Sequence, residues 1–370
     1  MINKVCFLFN ILLSSLILIG CSQSPTASPL SNFMVFDDVE YVTEFPQSFK
    51  LTDKIMPDID VIGITNFAIY DSNIIFSTKR KDSLWFVFDL PEYNYRGSFL
   101  SNGNGPFEFV QSPWVDSKTK FFEENDELFV GIYDFQKGRI FKLNIDKTLN
   151  EKNLVISVLN DSLPPFLFNF IMIESDKYFC KEVNNNQTQQ TRYIVENNKR
   201  TTPEILVKLN QASIREREDV NILSTMTNMN YDNDIIVEMP VGLNYINMYK
   251  LDGSFSKTVC IGDKLDNIEK IQNKPRWDRI YTFADLRIFE NFWGVIHIDE
   301  DEKNYQLGRK KLPLIYLFDW QGKPIAELKL DHFITSFDID FNNGVLYTFD
   351  VHSDEFYKYE VKEILKQVLR

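Results

Sequence analysis

Short runs of apolar and aromatic residues recur along the chain, and each run ends in an aspartate at the start of a turn. Clear copies occupy 84–89, 140–146, 246–252 and 314–319. The wide interval between the second and third copies contains a weaker one at 193–197, where Asn197 replaces the aspartate, and a final copy occupies 355–360. Because Asp or Asn after a strand accepts a hydrogen bond from the backbone two residues further on, this pattern predicts strands that lead into tight turns.

A pair of strands precedes several of these runs. The segments 68–76, 229–237 and 337–347 each contain two apolar stretches joined by an acidic or asparagine-rich turn. Each unit therefore has about four short strands over roughly 40–70 residues, as in one propeller blade. We predict an all-β fold, a six-bladed β-propeller of four-stranded antiparallel blades. The alternatives, a β-sandwich or two smaller β-domains, do not explain the period.

The two ends of the predicted ring differ from the repeated units between them. The last unit lacks a fourth strand, whereas 33–36 and 39–43 supply spare strands near the N-terminus. We expect one of these to pair with the last blade and close the ring, since an open propeller would expose unpaired edges. The segment 361–369 places apolar residues at helical spacing and predicts a short C-terminal helix that packs on the body. Two polar inserts, 209–222 and 262–279, lie on either side of the fourth unit.

Composition agrees with a strand-rich, folded protein. The 370 residues are 44% hydrophobic and 14% aromatic, with only 14 glycines and 14 prolines. The hydrophobic content excludes wholesale disorder, and aromatic side chains favour strands. A net charge of −13 argues against nucleic acid and against anionic lipid headgroups as partners of the folded body.

The first twenty residues have the character of a secretion signal. A single charge at Lys4 is followed by an apolar run over 5–19, which is shorter than the ~20 residues that span a bilayer. The run ends in Leu-Ile-Gly-Cys at 18–21, which resembles the lipobox of bacterial lipoproteins. The resemblance implies cleavage before Cys21 and fatty acylation of that cysteine, including palmitate. The alternative is an ordinary signal peptide beside an incidental cysteine.

The segment after Cys21 is rich in Ser, Pro and Thr and predicts a flexible tether. The expected organisation is a lipoprotein signal peptide at 1–20, a lipidated tether at 21–32 and a six-bladed propeller at 33–370. Several acyl chains give stable membrane anchoring. Ser22 does not resemble the inner-membrane retention signal. An acidic run directly after the cysteine would suggest export to the cell surface, and this run is missing. We therefore expect an outer-membrane lipoprotein of the cell envelope, on the periplasmic side in preference to the cell surface.

One loop carries a more specific signature. The segment 101–110 resembles the G-x-G-P-G-E-F loop of six-bladed, TolB-like propeller lipoproteins common in Bacteroidetes. The matching residues are Gly103, Gly105, Pro106, Glu108 and Phe109, and Phe107 stands where that family usually has glycine. The resemblance implies the fold and the envelope location but no reaction. The glycines are expected to permit a positive φ and Pro106 to stiffen the loop. A phosphate-binding loop is disfavoured, since no Lys-Ser/Thr and no helix follows.

Motifs for metal binding or hydrolysis are missing from the sequence. His297, His332 and His352 have no second ligand at zinc spacing, and the acidic run at 297–302 lacks EF-hand spacing. No G-x-S-x-G elbow is present. We expect no cofactor and no metal. Cys180 and Cys260 either form a disulfide or remain separate buried thiols, and their apolar surroundings favour the second.

A binding site is expected at one mouth of the propeller channel, where loops from several blades converge. Its candidate residues are Trp114, Arg276, Trp277 and Arg287, although core packing is an alternative role for each tryptophan. Three functions stay open: a non-catalytic binding or scaffolding lipoprotein, a carbohydrate- or peptide-binding sensor, and a propeller lyase or hydrolase. The expected partners are the membrane, through Cys21, and an envelope protein, peptide or glycan.

Overall fold

The computed structural model describes residues 31–116 and 119–369, and these fold into six β-sheets arranged as the blades of a propeller. The predicted six-bladed fold is confirmed. The predicted signal peptide, Cys21 and most of the predicted tether lie outside the described residues. Among the described residues, no helix has the length and apolar character needed to cross a bilayer.

Strands follow chain order across each blade, and the first strands of neighbouring blades contact one another around the channel. Two short strands precede the ring, β1 (Val39–Val42) and β2 (Ser48–Lys50). Blade 1 contains β3 (Ile64–Tyr70), β4 (Asn73–Thr78), β5 (Trp85–Asp89) and β6 (Tyr95–Phe99). Blade 2 contains β7 (Thr119–Glu124), β8 (Glu127–Asp134), β9 (Arg139–Asn144) and β10 (Ile156–Asn160). Blade 3 contains β11 (Asn169–Glu174), β12 (Lys177–Val183), β13 (Gln190–Glu196) and β14 (Lys199–Thr201).

The second half of the ring has less regular blades. Blade 4 contains β15 (Thr225–Asn230), β16 (Ile235–Pro240), β17 (Tyr245–Tyr249) and β18 (Ser256–Ile261). Blade 5 contains β19 (Ile280–Ile288), β20 (Trp293–Asp301), β21 (Leu314–Phe318) and β22 (Pro324–Lys329). Blade 6 has only β23 (Ser336–Asp340), β24 (Val345–Asp350) and β25 (Glu355–Glu360).

Short helices occupy the connections and the C-terminus. The α-helices of the described residues are α1 (Ile145–Glu151), α2 (Glu204–Asn210), α3 (Ile268–Gln272), α4 (Glu302–Leu307) and α5 (Lys362–Val368). Single 3-10 turns occur at Val220–Leu223 and Arg276–Asp278, so both polar inserts contain helical turns. The predicted C-terminal helix is confirmed, and Val361, Leu365 and Val368 pack into the core of blades 5 and 6.

The third strands of blades 4 and 5 end in the turns that the sequence predicts. The Oδ1 atom of Asp252 accepts a hydrogen bond from the Ser254 amide at 2.9 Å, and Asp319 does the same for the Gln321 amide at 2.9 Å. Blade 2 differs, because Asp146 lies in α1 and its Oδ2 accepts the Leu128 amide at 2.7 Å. The repeat therefore reflects local hydrogen bonding at the ends of strands.

The N-terminal segment does not close the ring, and the prediction that 33–44 pairs with the last blade was wrong. β1 runs parallel to β18 on the rim of blade 4, and β2 runs parallel to β22 on blade 5. Near the end of this segment, Ile55 reaches blade 6 through an isolated bridge to Lys358, and the Lys54 ammonium lies 4.5 Å from the centre of the Tyr357 ring. The reason is hydrophobic burial: Met34 and Phe36 are 1% and 2% exposed within the core shared by blades 3 and 4. We call residues 31–56 the N-terminal belt.

Side-chain packing closes the ring between blades 6 and 1. Phe356 meets Phe67 and Phe76 edge to face, with ring centroids 5.1 and 5.2 Å apart. At the channel, the Oδ2 atom of Asp338 in β23 accepts the backbone N–H of Ile69 in β3 at 2.8 Å. Aromatic packing and one buried carboxylate therefore join blades 6 and 1, where a shared strand was expected to close the ring.

A buried charge network joins blades 3 and 4. The Nε of Arg192 donates to both carboxylate oxygens of Glu238 at 2.9 and 2.8 Å, and Tyr249 donates to the same carboxylate at 3.1 Å. The ammonium of Lys181 donates to the hydroxyl of Thr225. Burial raises the pKa of Glu238, but Arg192 and Lys181 outweigh it and hold that pKa below its ordinary value.

Cys180 and Cys260 are free, buried thiols on β12 and β18. They belong to the sheets of blades 3 and 4, each inside an apolar strand. Burial raises the pKa of Cys180 to about 12 and that of Cys260 to about 11. The expectation of separate buried thiols is therefore confirmed, and neither thiol is activated as a nucleophile.

Candidate functional site

One mouth of the channel opens at the turns between the first and second strands of the blades. It forms a cavity of about 690 Å³ lined by residues of blades 1, 2, 4, 5 and 6 and of the loop that joins blades 1 and 2. We call it the channel mouth. Its volume lies within the range of roughly 300–1,000 Å³ that is typical of ligand pockets.

The same residue pair recurs at the rim of the channel mouth. Four blades place an aromatic residue and then an acid or amide at the first turn, and all eight residues line the cavity. The pairs are Tyr70-Asp71, Tyr231-Asp232, Phe289-Glu290 and Phe341-Asn342. Aligned repeats bring positions that are far apart in the chain to one opening, since every first turn points to the same end of the channel.

These rim residues were missed in the sequence analysis, although their signal was present. The acidic or asparagine-rich turns used to define the repeats contain three of the four pairs, at 68–76, 229–237 and 337–347. Turn formation by itself accounts for an acid or amide at these positions. The additional signal is an aromatic residue directly before the turn residue, and it is found at this end of the channel.

Aromatic rings form the walls of the channel mouth. Tyr70 stacks on Phe121 with centroids 5.2 Å apart, and Phe289 meets Phe341 edge to face at 5.3 Å. Across the opening, the Lys120 ammonium lies 3.9 Å from the centre of the Tyr231 ring and donates to the Ile173 carbonyl at 2.6 Å. Phe341 is 43% exposed and Tyr231 is 38% exposed, so both rings offer area to a ligand.

Arg287 forms the floor of the channel mouth. Its Nε donates to Asp285 at 2.9 Å, and its Nη2 donates to the Phe67 carbonyl in blade 1 at 3.1 Å. Asp338 in blade 6 lies 3.6 Å away and Asp116 lies 3.9 Å away. One guanidinium thus connects blades 5, 6 and 1 and the loop that leads into blade 2.

Burial perturbs the carboxylates of this floor. It raises the pKa of Asp338 to about 6, against the opposing effect of Arg287, and it raises the pKa of Asp285 in the same way. Burial lowers the pKa of Arg287, but the three neighbouring aspartates raise it above its ordinary value. Both oxygens of Asp338 accept backbone N–H groups, from Ile69 and Ile339 at 2.8 and 2.9 Å. The floor is a hydrogen-bonded junction between blades.

The four residues proposed from the sequence do not converge. Arg287 alone lies in the channel. Trp114 lines a separate cavity of about 210 Å³ beside Tyr133, and Arg276 lines another of about 360 Å³ beside Arg279. Trp277 is 50% exposed in a 3-10 turn. These three belong to loops between blades, at the opposite end of the strands from the channel mouth.

The remaining tryptophans serve packing. Trp85 and Trp293 are fully buried, and Trp320 is 8% exposed. Core packing, the alternative role considered for the tryptophans, therefore applies to these three but not to Trp114 and Trp277.

The loop 101–110 folds around the carboxylate of Glu108. Its Oε2 accepts the Gly105 amide at 2.8 Å. Neither Gly103 nor Gly105 has a positive φ, contrary to expectation; instead, a Cβ at these positions would stand 2.0 and 2.9 Å from that carboxylate oxygen. The ammonium of Lys137 donates to the Gly105 carbonyl at 2.8 Å. The two glycines leave room for the Glu108 carboxylate in this position.

Histidines and acidic residues are distributed among structural contacts. Burial lowers the pKa of His297 to about 4, and His332 lies 3.1 Å from the Thr348 hydroxyl. In the acidic run, Asp299 pairs with Lys311 at 2.6 Å and Glu302 pairs with Arg276 at 3.1 Å. Within 31–116 and 119–369, no group of three His, Cys, Asp or Glu side chains is arranged to hold a metal ion.

Solved structures resemble the chain only distantly. A member of the DUF4221 family from Bacteroides vulgatus aligns with a TM-score of 0.48 and 11% identity, over 83% of this chain and 97% of its own. A Bacteroides fragilis protein named as exported aligns with a TM-score of 0.45 and 11% identity, over 84% of this chain and 98% of its own. No curated protein matches the chain. Nothing about ligand or activity follows from these similarities.

The family comparison is more decisive. The family described as TolB-like 6-blade propeller-like matches residues 65–342, which is most of the ring. The match begins in the first strand of blade 1 and ends at the first turn of blade 6. It agrees with the loop signature at 101–110 and with the six sheets of the structure. The chain belongs to the TolB-like six-bladed propeller family.

Proposed function

We propose that the protein is an envelope lipoprotein whose propeller binds a ligand or protein partner at the channel mouth without catalysing a reaction. The observation that carries this proposal is the recurrence of an aromatic–polar pair from four blades around one cavity of about 690 Å³. Recognition sites combine aromatic area with a few converging polar groups. A carbohydrate- or peptide-binding sensor would use the same mouth.

The hydrogen bonds of the floor favour binding over catalysis. Asp338 has the perturbed pKa expected of an acid or base, but one of its oxygens accepts the backbone N–H of Ile69 in blade 1 and the other accepts that of Ile339 in its own strand. Structural ion-pair networks perturb pKa values as active sites do. That pKa of about 6 is nevertheless the one observation that favours a lyase or hydrolase as the second candidate.

A variant that narrows the channel mouth tests the binding function. Asn342 lies at an exposed turn of the mouth, and Asn342→Trp would fill the opening without changing charge. Ser175→Trp is the matched control, since Ser175 lies at the equivalent turn of blade 3 but does not line the mouth. Glycans, peptides and amines are screened by thermal shift. We expect a ligand whose shift is lost in Asn342→Trp and kept in Ser175→Trp, and retention in both would place the site elsewhere.

Membrane attachment is tested at Cys21. We expect Cys21→Ser to move the protein from the membrane fraction to the soluble fraction, because the thiol that would carry the acyl chains is missing. Cys6→Ser, within the predicted signal peptide, is the control and should leave fractionation unchanged. Membrane association of Cys21→Ser would contradict the lipoprotein assignment.

The non-catalytic assignment has its own test. We expect the purified protein to contain no stoichiometric metal after dialysis and to turn over neither glycans nor lactones. Elemental analysis and product assays measure both. Turnover that is abolished by Asp338→Asn would move the lyase or hydrolase to first place.

A further inference from the structure

The charges of the channel mouth are unbalanced. Five carboxylates line it, against only two cationic side chains. Both cations are already engaged: Arg287 by Asp285 and its neighbours, and Lys120 by the Ile173 carbonyl and the Tyr231 ring. Among the ion pairs found within 31–116 and 119–369, none involves the rim residues Asp71, Asp232 or Glu290. The rim therefore presents uncompensated negative charge from three blades.

Two further acceptors lack partners near the floor. The Asn66 side chain is 6% exposed and donates to the Asp116 carboxylate at 3.0 Å, yet its Oδ1 has no hydrogen-bond partner among the described residues. The same holds for the buried Oγ1 of Thr119, a residue that lines the mouth. Buried polar atoms are normally paired. Thr119 lines the mouth, so a ligand that brings an N–H donor to this position would satisfy its Oγ1.

The aromatic rim suits the same kind of ligand. Each rim carboxylate follows an aromatic ring, namely Tyr70, Tyr231 or Phe289. A lysine side chain lays its four-carbon stem along apolar surface and keeps its ammonium in a polar environment. Ammonium groups are also attracted to aromatic faces, and Lys120 already occupies the Tyr231 ring in this way. Carboxylates from three blades around one opening suit several ammonium groups on one chain, and the exposed Phe341 ring offers apolar surface to their stems.

We propose that the channel mouth binds a peptide segment that carries lysine side chains, with its ammonium groups at Asp71, Asp232 and Glu290. This inference rests on the proposed function and specifies its ligand. A neutral glycan would leave the rim carboxylates without a countercharge. A nucleic acid or another polyanion is opposed by them.

The test compares two variants of equal net charge. The rim variant is Asp71→Asn, Asp232→Asn and Glu290→Gln. The control variant is Glu92→Gln, Glu151→Gln and Asp161→Asn, three exposed carboxylates elsewhere on the surface. The probe is fluorescein-labelled tetralysine, and binding to the purified protein is measured by fluorescence anisotropy. We expect the rim variant to weaken binding at least tenfold and the control variant less than threefold, and equal losses would overturn the proposal.

Competing ligands test whether the mouth recognises the ammonium groups of a peptide. Tetralysine acetylated at every side chain should compete at least tenfold less well than tetralysine, since acetylation removes the charge. Equal competition would overturn the proposal, as would tighter binding of spermine, which would assign the mouth to free polyamines. Cellotetraose binding that Asn342→Trp abolishes, with no tetralysine binding, would overturn this inference and leave the proposed function standing. The substitution Phe341→Ala at the rim should weaken the binding of tetralysine several-fold. Phe166→Ala, which removes an exposed ring on another loop, should leave this binding unchanged.

Discussion

At the scale of single residues, burial decides how charged groups behave in this ring. Lys181 is enclosed between blades 3 and 4, and burial lowers its pKa to about 7 although Glu238 acts in the opposite direction. Arg192 in the same network donates from its Nε to both carboxylate oxygens of Glu238. The lysine responds to pH in the neutral range, because its lowered pKa lies there.

Lys181 gives stability a specific pH dependence. The unfolded lysine, with its ordinary pKa of 10.5, keeps its proton where the folded one with a pKa of about 7 loses it. At this residue the unfolded state therefore binds more protons, so Lys181 contributes a rise in stability between about pH 7 and 8, with a slope of up to about 1.4 kcal/mol per pH unit. The buried thiols of Cys180 and Cys260 act in the opposite direction as the pH approaches the ordinary thiol pKa of ~8.5, because burial raises their pKa values in the folded state. Urea unfolding at several pH values measures the slope.

Controls separate this effect from other titrations. Lys181→Met should flatten the slope, and Lys177→Met, on the same strand but partly exposed, should keep it. Histidine titrations fall below the window, since burial lowers the pKa values of His297 and His332. An unchanged slope in Lys181→Met would show that another group is responsible.

At the scale of elements, the N-terminal belt covers the rims of blades 4 and 5. β1 and β2 add parallel strands to antiparallel blades, which protects the edge strands β18 and β22 from pairing with other chains. Several belt side chains are buried in the body, among them Met34, Val42 and Leu51. Phe36 is 2% exposed and lies 5.6 Å from the Tyr249 ring, whereas Tyr41 on β1 is 48% exposed.

Phe36→Ala tests whether the belt is part of the core. We expect a loss of about 3–4 kcal/mol in the free energy of unfolding, because a buried ring is removed and a cavity is left. Tyr41→Ala, at an exposed position of the same segment, should cost less than about 1 kcal/mol. Denaturant unfolding of both variants gives the comparison, and similar losses would mean that the belt contributes little through Phe36.

At the scale of the whole molecule, the ring closes without a shared strand. Blades 6 and 1 are joined by aromatic packing and by the junction at Arg287. The guanidinium compensates Asp285, Asp338 and Asp116 together, so its removal would leave buried carboxylates without a countercharge. The stability of the ring and the shape of the channel mouth therefore depend on the same residue.

Arg287→Leu should destabilise the protein by about 3–5 kcal/mol at pH 7, as expected when one partner of a buried ion pair is removed. Without the cation the pKa values of the aspartates rise, so they become protonated at mildly acidic pH. The deficit relative to wild type should then narrow between pH 7 and pH 5. Arg80→Leu, which breaks an exposed pair with Asp82, should change the free energy of unfolding little at either pH. A deficit independent of pH would contradict this account.

Strand-level organisation could be predicted because its causes are local. Apolar runs, the turn-forming Asp252 and Asp319, and the helical spacing of Val361, Leu365 and Val368 act through neighbouring residues. Blade number followed from the repetition of these local units. The loop at 101–110 was also recognised, although the reason for its glycines, space for the Glu108 carboxylate, needed coordinates.

Long-range relations were decided by the tertiary structure. The sequence contained β1 but not its partner, because the choice among blade edges depends on where Met34 and Phe36 become buried. It contained Arg287 but not Asp116 and Asp338 beside it, since these contacts form only when the ring closes. Pairs such as Tyr70-Asp71 and Phe289-Glu290 look like ordinary turns along the chain. They form one site because the blades are arranged around a common axis and their first turns lie at the same end of the channel. No local pattern in the sequence specifies this arrangement.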